Sequence, residues 1–271
     1  MKTILITGST DGIGLGTARR LTADGHRVLF HGRDPDKLDR VEAELSASGT
    51  AERTAADLSV LAEVSALADT VAERYERLDV LINNAGVYSA ADPRTADGLD
   101  IRFAVNAIAP YLLTRRLLPL IPPAGRVVNL SSAAQAPVDL AALAGQGHLS
   151  DGVAYAQSKL ALTMWSRYLA GEVGAEGPSV VAVNPGSLLG TKMVRSAFGT
   201  AGKDVGIGVD ILVQASLSDA FAGASGQYFD NDAGRFAPPH PDALDDRKAE
   251  AVVRAIEDVL AHAGMGTGAS G

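Results

Sequence analysis

Thr7-Gly8-Ser9-Thr10-Asp11-Gly12-Ile13-Gly14 follows a short apolar run, Ile4-Leu5-Ile6, and leads into a helical segment from Leu15. Glycines in a strand-to-helix turn let the backbone bend sharply, and let a diphosphate approach main-chain N–H groups with no Cβ in the way. A helix that opens there aims its free N–H groups and the positive end of its dipole at the same anion. Glycine-rich turns also occur simply as tight turns. The position after a buried strand and before a helix is what makes this one a candidate phosphate cradle, with Gly8, Ser9, Thr10, Asp11, Gly12, Ile13 and Gly14 as its contacts.

Outward from that turn, two patterns alternate. Apolar runs at Ile4–Ile6, Arg27–Phe30, Val80–Ile82, Arg126–Leu130 and Val180–Val183 have no polar alternation, which suits strands buried on both faces of a parallel sheet. Between them, Asp36–Leu45, Ser59–Arg77, Val153–Val173 and Asp242–His262 carry apolar residues at helical spacing. Strand and helix trading places predict an α/β fold: a doubly wound, Rossmann-like three-layer sandwich with a mostly or wholly parallel central sheet. Ala133–Val153 lacks a period and reads as a long loop. Nothing resembles a linker, so residues 1–263 are expected to form one domain, with residues 264–271 as a flexible tail.

Composition excludes several functions. A chain of 271 residues with 46% hydrophobic content can bury a core without staples, and the absence of cysteine removes disulfides, thiolate metal sites and cysteine nucleophiles. The net charge of −8 disfavours nucleic acid or an anionic membrane as partner. The five histidines lack metal-ligand spacing, so no metal is expected. No apolar run reaches the roughly 18–20 residues of a membrane helix. Met1-Lys2 runs directly into the first strand, with no signal peptide expected and a cytoplasmic setting implied.

The turn reads T-G-x-x-x-G-x-G rather than G-x-G-x-x-G. Further along stand Asn83-Asn84-Ala85-Gly86, Asn106, Val127-Val128-Asn129-Leu130-Ser131-Ser132, Tyr155-Ala156-Gln157-Ser158-Lys159 and Asn184-Pro185-Gly186. In this order they resemble the motifs of the single-domain branch of the short-chain dehydrogenase/reductase family, over about residues 3–230. The resemblance implies an NAD(P)-dependent oxidoreductase acting on a small-molecule carbonyl or alcohol. It also implies Tyr155 as proton donor and Ser132 as the group bonding the substrate oxygen, with Ser131 as the competing assignment. Lys159 would bond the nicotinamide ribose, and Asn106 would help hold a water that links the lysine to solvent. Asn84, Ala85 and Gly86 would flank the cofactor, Asp57 and Leu58 contact the adenine, and Pro185, Gly186 and Thr191 border the nicotinamide.

The residues themselves support this chemistry. Tyr155 and Lys159 lie four apart in an apolar helical run, and so on one helix face. A free phenol has a pKa of about 10, and a neighbouring ammonium or an oxidised nicotinamide ring would lower it. As for the cofactor, the second strand ends Phe30-His31-Gly32-Arg33-Asp34, where a dinucleotide fold meets the adenosine ribose. Arg33 suits a 2′-phosphate, so NADP is preferred. Asp11, standing where a second basic residue is common, and Asp34, which offers a carboxylate for a 2′-hydroxyl, keep NAD open.

Two departures bear on the substrate. Between Ser132 and Tyr155 lie 22 residues, a longer loop that resembles the retinol-dehydrogenase-like members; Val138, Leu140, Leu143 and His148 would line one lip of the pocket. Four residues separate Gly186 from Thr191, one more than in many relatives. Leu188, Leu189, Met193 and Phe198 then either close over an apolar substrate as a lid or pack on the protein's own surface or in a subunit interface. The helices carrying Asn106 and Tyr155 are apolar around much of their circumference. A homodimer or homotetramer would cover them, as would the long loop in a monomer. The competing functions are a cofactor-binding scaffold without turnover and an epimerase or dehydratase of the extended branch.

Overall fold

The apolar runs become the middle of one sheet. The computed structural model describes residues 1–266, and its strands are β1 (Thr3–Ile6), β2 (Arg27–Gly32), β3 (Ala51–Ala55), β4 (Val80–Asn83), β5 (Arg126–Leu130), β6 (Ser179–Asn184), β7 (Tyr228–Asp230) and β8 (Arg235–Phe236). They lie in the order β3-β2-β1-β4-β5-β6-β7-β8, parallel throughout except for the β7–β8 pair. This is the expected doubly wound arrangement, and the strand order reverses between β1 and β4.

Successive strand residues enter opposite layers, which is why the runs show no alternation. Ile4, Ile6, Val28, Phe30, Ile82, Val128 and Val181 pack with helices α1 (Gly12–Ala23), α2 (Pro35–Ser46) and α9 (Gly206–Leu217). Leu5, Leu29, Leu81, Val127 and Val180 pack on the other side with α3 (Leu61–Arg74), α5 (Ala109–Leu117), α7 (Asp151–Val173) and α10 (Asp246–His262). Both faces are therefore dry.

Several boundaries differ from the sequence reading, each for a local reason. Helix α1 starts at Gly12 rather than Leu15, because the Asp11 carboxylate accepts the Gly12 N–H at 2.7 Å. The segment from Asp242 divides: Pro241–Leu244 is a single tight turn, and Asp245 then caps α10. The long loop holds a short helix α6 (Leu140–Leu143), capped by Asp139, and ends where α7 begins at Asp151. Leu143 is fully buried in the core, so it does not line a pocket lip. Strand β3, Ala-Glu-Arg-Thr-Ala, was invisible as an apolar run because it is the polar edge of the sheet.

The helix before β5 is a composite of α4 (Ile101–Phe103), a π-helical segment at Ala104–Ile108, and α5. Pro110 has no N–H to donate, and the wider turn spans the residues just before it, Asn106 included. The outer side of α7 is covered by α10, which buries Ala249, Val252, Val253, Ile256 and Leu260. The Tyr111 hydroxyl donates to Glu257 at 2.7 Å and ties α5 to α10. Gly264 and Met265 still bond back to Ala261 and Leu260, and Gly266 accepts from Arg116. The ordered chain therefore runs past the expected boundary at residue 263; residues 267–271 of the expected tail lie outside the described residues. Among the described residues, no helix is long and apolar enough to cross a membrane.

Candidate active site

The turns after β1 and β4 meet at the point where the strand order reverses. Gly8 has φ +63°, and a Cβ there would stand 2.8 Å from Ala85 Cα; one on Gly14 would stand 2.4 Å from Asn84 Nδ2. Only glycine permits this approach. The Thr7 hydroxyl accepts the N–H groups of Asn84 and Ala85, both at 3.1 Å, and Asn84 Nδ2 donates to the carbonyls of Thr7 and Gly8 at 2.8 and 2.9 Å. Asn84 and Ala85 thus back the glycine turn and fix its shape. Ser9 is fully buried: its hydroxyl donates to Ile6 O at 2.9 Å and its N–H to His31 O at 2.8 Å. Its hydroxyl and N–H thus shape the turn from within.

The cradle itself fits a diphosphate. Leu15 N–H bonds Asp11 O at 3.1 Å, which leaves the N–H groups of Ile13 and Gly14 without intrahelical carbonyls. Across from them, Thr191 Cγ2 is 3.4 Å from where a Gly12 Cβ would be. A cleft of about 420 Å³ opens between the two segments, lined by Asp11, Gly12, Leu15, Thr191, Lys192 and Arg195 among others. Thr10 packs against Gly32 at the end of β2.

At the adenosine end, Arg33 is exposed, its guanidinium 3.6 Å from the Asp57 carboxylate. Burial opposes ionisation of Asp57, but the N–H and hydroxyl of Ser59, together with Arg33, outweigh it and hold the carboxyl below its usual range. Asp34 is the N-cap of α2, its carboxylate accepting from Asp36 and Lys37, so it is engaged in the protein rather than offered to a ribose. The side chain of Leu58 is buried in the core, so only its backbone is left to face an adenine. His31, which sequence reading passed over, joins the region together. It accepts from Gly8 N–H and bonds Ala56 O, both at 3.0 Å.

The chemical centre lies on α7, beside the end of β5. Lys159 is buried; its ammonium donates to Leu130 O at 2.6 Å and sits 5.8 Å from the centroid of the Tyr155 ring. Burial lowers the lysine to about 8. Burial also raises the Tyr155 phenol; a hydrogen bond with Ser132 pulls the other way, and the neighbouring Tyr88 adds to the rise. The phenol is therefore raised here rather than lowered as expected, because desolvation dominates. The two serines diverge. Ser131 is buried, with its hydroxyl on Thr163 Oγ1 at 2.7 Å, whereas Ser132 is half-buried near Tyr155 and its hydroxyl accepts the Ala134 N–H at 3.1 Å. Tyr228 donates to Ser132 O at 3.0 Å and anchors that residue from β7, a contact 96 positions away that no local motif announces.

Gly86 faces both Lys159 Nζ and Asn106 Oδ1, each 3.5 Å from where its Cβ would be. The Asn106 amide is fully engaged: Oδ1 accepts Val87 N–H at 2.8 Å, while Nδ2 donates to Val87 O and Ser158 Oγ at 2.9 Å. Its side chain is a clamp on the segment after Gly86. After β6, Asn231 Nδ2 donates to Pro185 O at 2.9 Å, and Gly186 lies against Leu189 and Ile207. The Thr191 hydroxyl caps helix α8 (Lys192–Phe198), and its methyl group meets Gly12, so Thr191 borders the phosphate turn. Of the proposed lid residues, Leu189 is buried, Leu188 and Phe198 are exposed, and Met193 reaches toward Gly86.

Comparison with known proteins agrees with this geometry. The family model described as short chain dehydrogenase matches residues 2–201. Retinol dehydrogenase 12 of Bos taurus is 36% identical over 204 residues; the match takes in 73% of this chain and 64% of that relative, so under two thirds of its length. Among solved structures, the RhlG/NADP active-site complex of Pseudomonas aeruginosa superimposes with a TM-score of 0.69 at 27% identity, covering 86% of this chain and 95% of that one. A short chain dehydrogenase of Burkholderia cenocepacia J2315 in complex with NADP gives 0.66 at 27% identity, covering 84% and 95%.

Proposed function

The chain belongs to the short chain dehydrogenase family, and on that premise we propose that it is an NADP-dependent oxidoreductase interconverting a carbonyl and an alcohol on a small molecule. The observation that carries the reading is the grouping of Tyr155 with Lys159 and Ser132, with Lys159 beside Gly86, on the same edge of the sheet as the glycine turn. Neighbours solved with NADP support the choice of cofactor, as does Arg33 at the ribose end.

When bound, the nicotinamide supplies the hydride. The chain's own groups do the rest. Ser132 holds the substrate oxygen and Tyr155, kept protonated by its burial, delivers its proton to that oxygen as charge develops. Lys159 places a positive charge beside the phenol, and Asn106 fixes the Gly86–Val87 segment that passes over it. Gly8, Gly12, Ile13 and Gly14 cradle the diphosphate, with Asn84 and Ala85 behind them. One continuous sheet carries both halves of this site, which supports a single catalytic domain. The cover that α10 gives α7 favours a chain working alone over a dimer or tetramer. The acidic charge favours a small-molecule partner over nucleic acid, and a cytoplasmic setting goes with this reading. The test is NADPH consumption across a panel of ketones and aldehydes, after a thermal-shift comparison of NADPH with NADH. Stabilisation by NADPH with turnover of some carbonyls is expected; binding with no turnover of any would contradict it.

A further inference from the structure

Tyr88 stands between Tyr155 at the chemical centre and Phe198 of the segment after β6. Its ring centroid is 5.1 Å from that of Tyr155, tilted 49°, and 5.3 Å from that of Phe198, tilted 57°. Tyr88 has little freedom to leave. The preceding residue, Val87, is gripped through both backbone groups by the buried Asn106 amide, and that amide also bonds Ser158, whose hydroxyl donates to Tyr155 O at 2.8 Å. The Tyr88 hydroxyl lies over Gly152, 3.2 Å from where a Cβ would be, so a larger residue there would press directly on it.

Phe198 is different. It is 53% exposed, at the far end of α8. That helix belongs to a flap whose two ends are tied together: Lys203 N–H donates to Leu188 O and Gly190 N–H donates to Lys203 O, both at 2.7 Å. Leu188 holds φ +56° at this closure, a conformation that side-chain-bearing residues rarely adopt. The flap is thus fixed at its base, and its tip rests on Tyr88.

Resting on the oxidoreductase reading above, we propose that Tyr88 is a specificity-determining residue: with Tyr155 and Phe198 it forms a three-ring wall that selects carbonyls carried on a flat, conjugated body. A flat conjugated substrate laid against one of these rings would gain tilted or offset stacking, worth roughly two- to tenfold in affinity per ring pair beyond simple burial. A saturated ring of similar volume is puckered and gains only the burial. Tyr88 and Phe198 would take the substrate body while Tyr155 and Ser132 take its oxygen.

The experiment compares phenyl methyl ketone with cyclohexyl methyl ketone at saturating NADPH, in the wild type, Tyr88→Leu, Tyr88→Phe and Phe198→Leu. The wild type is expected to prefer the aryl ketone by about tenfold in kcat/KM, chiefly through KM. Tyr88→Leu should collapse that ratio toward one, Phe198→Leu should lower it part-way, and Tyr88→Phe, which keeps the ring, should hold it. Unchanged NADPH affinity in each variant shows that the fold is intact. A wild type indifferent to the two ketones, or a Tyr88→Leu enzyme with the same ratio as wild type, would overturn the assignment while leaving the oxidoreductase reading standing. Turnover of neither ketone, nor of any other carbonyl, would overturn both.

Discussion

The Nδ1 of His31 accepts the N–H of Gly8 at 3.0 Å, while its other ring nitrogen donates to Ala56 O at 3.0 Å. One imidazole at the end of β2 thereby fastens the turn after β1 to the segment after β3, the three places where the adenosine half of a dinucleotide would lie. This requires the neutral ring, and burial lowers its pKa from 6.5 to about 4. The folded value lies below the unfolded one, so the unfolded chain binds more protons in that window. Stability is fully present above the unfolded value of 6.5 and is lost as pH falls toward about 4, by roughly 3 kcal/mol for this group. Urea unfolding at pH 4.5 and pH 7 checks this: wild type should lose stability on acidification, and His31→Gln should lose markedly less.

Arg33 carries the choice of cofactor. Its guanidinium is exposed and held loosely by Asp57 at 3.6 Å, free to turn onto a 2′-phosphate. Replacing it with glutamine removes charge-assisted bonds worth about 1.5–3 kcal/mol. NADPH affinity should fall by roughly ten- to a hundredfold, with NADH affinity nearly unchanged, as read by fluorescence titration.

Lys159 predicts a pH limb. With its pKa lowered to about 8 by burial, the ammonium beside Tyr155 is lost in mildly alkaline solution. The kcat/KM for carbonyl reduction should be flat at neutral pH and fall about tenfold per unit above about 8. Lys159→Met should be slow at every pH and lack that limb.

The cover on α7 predicts the assembly. Helix α10 already buries Val252, Val253, Ile256 and Leu260 against the layer that contains Trp165 and Leu169. Sedimentation at micromolar concentration should therefore give a single copy of the chain; a dimer would mean that another face does the pairing.

What could be read from the sequence was what is local in it. The glycine turn, the strand-end Ser131-Ser132 pair and the Tyr155/Lys159 spacing each lie within a few residues, and β1, β2, β4, β5 and β6 announced themselves by apolar runs. What escaped depends on contacts between distant segments. His31 meets Gly8 across 23 positions, Asn106 meets Val87 across 19, and Tyr228 meets Ser132 across 96. The polar edge strand β3 shows no apolar run because it has a neighbour on one side only.

The phenol of Tyr155 is the centre of the account. Single-turnover reduction of an active ketone, with NADPH binding measured on the same samples, compares wild type with Tyr155→Phe. The account predicts NADPH affinity within about threefold of wild type and a rate lower by roughly 10²–10⁴-fold. A Tyr155→Phe enzyme that reduces the ketone at the wild-type rate would contradict it.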